Sequence, residues 1–179
     1  MMKSKIINFG FLCILGLSGS VVYADENYWG AGVGMFDYSE EGIDSDASLT
    51  ALFGRLGTQF NENFSGEIRA GFGIGDDSIN VLSTDVNVEL DSMFGGYIRG
   101  GVPVSENFYP YAILGYTRGE ISVSVPGFSD SESESDVSFG IGADFGLGES
   151  TKFNIEYINY LDKEGAEVSG FSIGIVRPF

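Results

Sequence analysis

The stretch Phe171-Ser172-Ile173-Gly174-Ile175-Val176-Arg177-Pro178-Phe179 decides the fold. Read with period 2, Phe171, Ile173, Ile175 and Phe179 share one parity, with Arg177 among them. Ser172, Gly174, Val176 and Pro178 share the other. Alternate residues of a strand point to opposite faces, so this is a strand with one bulky apolar side and one slim side. It carries its apolar side out to a terminal aromatic, which suits a soluble domain poorly.

Working outward, the opposite end supplies an address. Lys3 and Lys5 precede an uncharged apolar run from Ile6 to Leu17, and Val22-Tyr23-Ala24 has the form of a cleavage site. That is the layout of a secretory signal peptide over 1–24, with Asp25 as the first mature residue. The run is shorter than the roughly 20 residues a membrane helix needs. Leu12 stands before Cys13, where a lipoprotein signal wants a small residue. Cys13 therefore leaves with the leader, and no disulfide or thiolate chemistry remains.

Removing 24 of the 179 residues leaves 155, enough for one domain over 25–179. Two of the nine basic residues go with the leader, so seven face 26 acids and the net charge is near −19. Nucleic acid is excluded as a partner, because binding it needs Lys and Arg to displace counterions from phosphates. After the leader no apolar run reaches helical spanning length, so any insertion in a membrane must be by strands.

Period-2 patterning predicts eight strands, at about 28–38, 48–60, 64–75, 88–102, 108–119, 137–147, 152–160 and 168–179. In the first, Trp29, Ala31, Val33 and Met35 oppose Gly30, Gly32 and Gly34. In the third, Ile68, Ala70 and Phe72 oppose Glu67, Arg69 and Gly71. The second, fourth and fifth alternate less cleanly. Tight turns fall at Asn61–Asn63, Pro103–Asn107 and Gly148–Thr151, and longer loops at 39–47, 76–87, 120–136 and 161–167. Short turns at one end and long loops at the other mark a membrane barrel with its turns in the periplasm.

The turns repeat as Asn61-Glu62-Asn63-Phe64 and Ser105-Glu106-Asn107-Phe108, and more loosely before Phe153. Trp29, Phe64, Phe108 and Phe153 thus begin outgoing strands at one height and, with Phe179, form an expected periplasmic aromatic girdle. The long loops are acidic, with Glu40, Glu41, Asp44 and Asp46 in the first. Asp76, Asp77 and Asp85 lie in the second, and Asp162, Glu164 and Glu167 in the fourth. In the third, Ser129-Asp130-Ser131-Glu132-Ser133-Glu134-Ser135-Asp136 alternates Ser with carboxylate, cannot bury apolar surface, and reads as mobile.

A soluble β-sandwich would put the apolar face inside; a membrane barrel reverses it. The glycine-rich slim face, the even strand count and the loop asymmetry favour the barrel. Charge then sets the registers, since Arg or Lys facing lipid at mid-bilayer costs roughly 2–4 kcal/mol. Arg55, Glu67, Arg69, Arg99, Asp144 and Glu156 are expected to point inward, with Met93 and Tyr97 beside Arg99. Arg177 faces out but sits at the membrane edge, where it can snorkel. An eight-stranded lumen is just wide enough for side chains to fill. Three cations and three anions there read as a structural plug, with a gated pore or a proton relay as the functional alternative.

No histidine occurs in the chain, which removes the usual general base near neutral pH. Glu67 and Glu156 could form an acid–base pair, but both have Arg partners at hand, so no catalytic residue and no cofactor is assigned. Asp130-x-Glu132-x-Glu134 has carboxylates at ion-loop spacing but lacks the glycine and distal Glu of a calcium loop. No metal ligand set is assigned.

The whole mature chain resembles the small eight-stranded outer-membrane β-barrels of OmpA and OmpX type. The resemblance rests on the leader, on Tyr28-Trp29-Gly30-Ala31-Gly32-Val33-Gly34, on Tyr109-Pro110-Tyr111-Ala112-Ile113-Leu114-Gly115-Tyr116, and on the Phe179 end. Pro178 and Arg177 depart from it at the strand's tip. It implies an all-β, antiparallel, up-and-down transmembrane barrel in the cell outer membrane. It also implies a monomer among outer-membrane lipids and lipopolysaccharide, with a C-terminal strand read by the barrel assembly machinery. No cell-wall-binding domain like that of the larger relatives is expected after Phe179. The functional expectation is a surface protein acting through its loops in adhesion or envelope integrity. A narrow porin-like channel is the second reading, and a histidine-free lipid-modifying enzyme the third.

Overall fold

The computed structural model describes residues 26–40, 47–81, 84–125, 128–148, 150–163 and 166–179. The expected leader, Glu41, Asp44, Asp46 and Glu164 lie outside them. Among the described residues every regular element is a strand: β1 (Glu26–Glu40), β2 (Ala47–Gln59), β3 (Phe64–Gly73), β4 (Asp76–Val81) and β5 (Thr84–Gly101). Then come β6 (Phe108–Val125), β7 (Phe128–Gly146), β8 (Lys152–Lys163) and β9 (Ala166–Pro178). All pairings are antiparallel between chain neighbours, except that β1 also pairs with β9 and β3 with β5. Those two pairings close the sheet into a cylinder.

Nine segments make eight staves. β3 and β4 both lie along β5, as one stave interrupted at Ile74-Gly75. Across the interruption β5 has a bulge between Leu90 and Ser92. A Cβ added at Gly73 would collide with the Leu90 carbonyl in that bulge, so the stave needs glycine there. The Ile74 amide keeps one rung, donating to the Thr50 carbonyl at 2.8 Å.

The repeated turns have a shared physical basis. Asn61 Oδ1 accepts the amides of Asn63 and Phe64, both at 2.9 Å, and Ser105 Oγ accepts the Asn107 amide at 3.4 Å. A short polar side chain thus ties down the amide two residues on and reverses the chain. The third turn instead uses Gly148 at φ 81°, a left-handed conformation that suits glycine. At the last strand Pro178 has no amide to offer, and the Phe179 amide supplies the next rung to the Asn27 carbonyl at 2.9 Å.

Burial separates the faces. Met35, Phe72, Phe94, Ile98, Phe139 and Ile141 point outward, and Ile141 is 67% exposed. Arg55, Glu67, Arg69, Arg99 and Glu156 are at most 4% exposed. Charge inside and a continuous apolar belt outside is the inverse of a soluble sandwich, and only lipid can cover such a belt. The less clean strands resolve in the same sense. Leu49, Ala51 and Phe53 turn inward on β2, Met93 and Tyr97 on β5, and Tyr111, Ile113 and Thr117 on β6.

The expected loops are shorter than the sequence suggested. The expectation of a loop over 120–136 is overturned, because β6 and β7 pair continuously to the Val125–Phe128 rung. Residues 76–81 and 84–87 likewise form a β4–β5 hairpin. Alternation of Ser with acid is low in complexity, but it is also a period-2 pattern, and Val123, Ile121 and their neighbours on β6 give it a β-prone partner.

Candidate functional site

The lumen gathers the polar side chains that the slim faces carry. Arg69 is central: Nε and Nη2 donate to Glu67 Oε2 at 2.8 and 2.5 Å, while Nη1 and Nη2 donate to Glu156 at 2.7 and 2.8 Å. Arg55 donates to both Glu156 oxygens at 3.1 Å and to Asn154 Oδ1 at 2.8 Å. Arg99 bridges Glu67 and Asp144 at 2.8 and 2.6 Å, with its guanidinium 3.7 Å from the Tyr111 ring centre. The six groups anticipated inside the lumen thus sit in one contiguous, charge-balanced layer.

Neutral side chains complete it. Tyr28 donates to Glu67 Oε1 at 2.8 Å and Tyr111 to Glu156 Oε1 at 2.5 Å. Asn154 Nδ2 reaches Asp144 Oδ1 and the Tyr111 hydroxyl, both at 2.6 Å. Reading the sequence by charge passed over these three as partners. Parity could have found them, since Tyr28 lines up with Gly30, and Asn154 with Glu156.

Glycine makes the room. A Cβ at Gly142 would lie 2.6 Å from the Tyr111 ring and 2.8 Å from Glu156 Cγ, and one at Gly30 would lie 2.9 Å from Arg55 Cγ. The slim face is therefore a cradle for long side chains on neighbouring staves.

Above the ionic layer, towards the long hairpins, the lumen is mostly apolar, with the Tyr97, Thr117 and Ser138 hydroxyls hydrogen-bonded to one another within it. Phe36, Leu49, Leu90, Ile158 and Tyr160 pack into one cluster, with Phe36 and Tyr160 rings 5.3 Å apart. Below it, at the short-turn end, a cavity of about 290 Å³ opens between Glu26, Gln59, Glu106, Asn107 and Lys152 and ends on Arg99 and Asp144. The lumen is thus a vestibule, an ionic layer and an apolar layer in series. Asp130, Glu132 and Glu134 lie along one strand, where alternate side chains stand about 7 Å apart. Among the described residues no three acids converge to hold a metal ion.

The aromatic side chains assigned to a girdle all lie at the short-turn end. Trp29, Phe64 and Phe179 are exposed at 38, 51 and 75%, while Phe108 packs on Phe145 with ring centres 5.2 Å apart. Phe153 stands between Phe145 and Ile175 on the flanking strands.

A family model described as "Outer membrane protein beta-barrel domain" matches residues 9–179. The chain belongs to this family. Family membership and the closed barrel with an apolar exterior make it an outer-membrane barrel of the OmpA-like, porin-like group. Solved barrels agree in fold at low identity. Ail, the attachment invasion locus protein of Yersinia pestis, is 17% identical with a TM-score of 0.63, covering 88% of this chain and all (100%) of that one. Neisserial surface protein A is 14% identical with a TM-score of 0.65, covering 86% of this chain and 97% of that one. OprG of Pseudomonas aeruginosa is 14% identical with a TM-score of 0.61, covering 87% and 96%. No curated protein matches the sequence.

Proposed function

We propose that this outer-membrane barrel is a closed scaffold that acts through its protruding, acidic strands and not through its lumen. The observation that carries the reading is the closure in series, a neutral ionic layer backed by an apolar one. Ions entering the vestibule meet Arg99 and Asp144 already paired, and beyond them a packed, mostly apolar cluster in which the Tyr97, Thr117 and Ser138 hydroxyls are taken up by one another. Planar-bilayer recording of the purified protein is expected to show no steady conductance. A stable, ohmic conductance would replace this reading with the narrow-channel one, for which the vestibule would be the inner mouth.

The six lumen residues are structural in this reading, and the five end aromatics anchor the barrel at the periplasmic interface. Glu67 and Glu156 are both saturated by arginines, which leaves neither of them free for acid–base work. Lipid A mass spectra with and without the gene test that: a modification that vanishes with the gene would revive the enzyme reading. Leader removal near Ala24, a monomeric state, lipopolysaccharide as surrounding lipid and strand recognition by the assembly machinery belong to the same proposal. N-terminal sequencing of the membrane-embedded protein tests the first. Ail, the attachment invasion locus protein, was solved with the heparin analogue sucrose octasulfate. The present chain shows exposed Asp130 and Glu132, so its partner should be cationic instead of sulfated. Cell-surface binding assays with the 120–136 hairpin trimmed are expected to lose contact.

A further inference from the structure

The β7–β8 ladder ends at Phe139–Asn159, while β7 stays paired with β6 to the Val125–Phe128 rung. Side chains carry the seam slightly further: the Ser138 hydroxyl donates to the Tyr160 carbonyl at 3.3 Å, and the Asp162 amide to Asp136 Oδ2 at 3.1 Å. β8 itself stops at Lys163. Among the described residues, Ser129–Ser135 of β7 therefore has a strand on one side only.

In an antiparallel pair, a residue's amide and carbonyl point to the same neighbour, and the direction alternates along the strand. The Ser131 amide donates to Asp130 Oδ1 at 3.0 Å and not to β6. Ser129, Ser131, Ser133 and Ser135 thus direct their backbone groups to the open edge. Such a row is a template for another strand. Asp130 and Glu132 are exposed beside it on the alternate parity. Two copies of this edge would set carboxylates against carboxylates, which opposes self-pairing.

We propose that the Ser129–Ser135 edge of β7 takes up an extended cationic polypeptide segment as an added strand, with Lys or Arg at alternate positions facing Asp130 and Glu132. Main-chain rungs give affinity and the charge pattern gives selectivity. The Ser131 amide passes from Asp130 to a carbonyl of the incoming strand, and the released carboxylate takes up the cation. A neutral or acidic strand would leave Asp130 without a partner. The assignment rests on the surface-contact reading above and gives that contact its partner chemistry.

The test uses the full barrel in nanodiscs and two synthetic peptides, one alternating Lys with Thr and one alternating Glu with Thr. The Lys peptide is expected to bind and to slow hydrogen exchange at Ser133 and Ser135. Ser133→Pro removes an edge amide that β6 does not use, and is expected to abolish binding while the barrel keeps its heat-dependent gel shift. Asp130→Asn is expected to weaken binding by about tenfold, the effect of losing one charge-assisted contact. No binding, equal binding of the Glu peptide, or undiminished binding by Ser133→Pro would each overturn the proposal. So would protection of Ser133 without peptide as protein concentration rises. If trimming the hairpin abolishes cell-surface contact but Ser133→Pro spares it, the edge is refuted and the broader reading stands.

Discussion

Glu156 accepts bonds from Arg55, Arg69 and Tyr111 at once, so its loss leaves three buried arginines facing only Glu67 and Asp144. Glu156→Ala is expected to destabilise the barrel by about 3–5 kcal/mol, the range for breaking a buried pair by removing one partner. Denaturant unfolding in detergent measures it, and an effect below about 1 kcal/mol would mean the layer does not act as a unit. Gly142→Val tests the cradle. With a Cβ falling 2.6 Å from the Tyr111 ring, overpacking is expected to cost about 1–3 kcal/mol in the same assay. At this scale the sequence was unusually readable. Strand period is an integer, so Arg55, Glu67 and Glu156 could be assigned a face from parity and charge alone. What parity cannot rank is neutral side chains. Tyr111 and Asn154 look like any inward residue until the arginines they serve are known.

The elements divide into a regular cylinder and a protruding sheet. Outward residues on β7 pass from Ile141, Phe139 and Val137 to Ser135 and Ser133, and the lipid boundary is expected at that change. Ile141→Arg is therefore expected to cost about 2–4 kcal/mol and Ser133→Arg about 0–1; equal costs would place the membrane boundary elsewhere. The β6–β7 hairpin makes a second prediction. Amides of Glu132 and Glu134, paired with β6, should exchange slowly, and those of Ser133 and Ser135 quickly. Uniformly fast exchange would restore the mobile loop that the composition suggested. That misreading had a physical source. The Ser–acid run has no apolar residue to bury, and the pairing that orders it comes from β6, remote in composition if not in sequence. Bulges at Leu90/Ser92 and Asn159/Leu161 were likewise invisible, because a bulge is a property of two strands and leaves no mark on one.

On the scale of the whole molecule, closure in series means that neither layer alone controls passage. Trimming only the apolar layer, by Phe36→Ala with Ile158→Ala, is expected to leave conductance at baseline, because the arginine layer still fills the bore. Combining those changes with Glu67→Ala and Arg69→Ala should permit current if the barrel still folds. Conductance from the apolar variant alone would show the ionic layer to be porous. The architecture was the most legible level of all, since strand count, turn asymmetry and face inversion each point to the same cylinder. The interruption at Ile74-Gly75, with the bulge of β5 facing it, has a mechanical side. A pull on the protruding sheet reaches the cylinder through continuous β5, β6 and β7, whereas β4 meets β3 across a gap in their shared ladder with β5. Load should therefore peel β4 before it disturbs the arginines below. Force spectroscopy on a tether at residue 79 is expected to show an early, low-force event, followed by rupture of the barrel stave by stave.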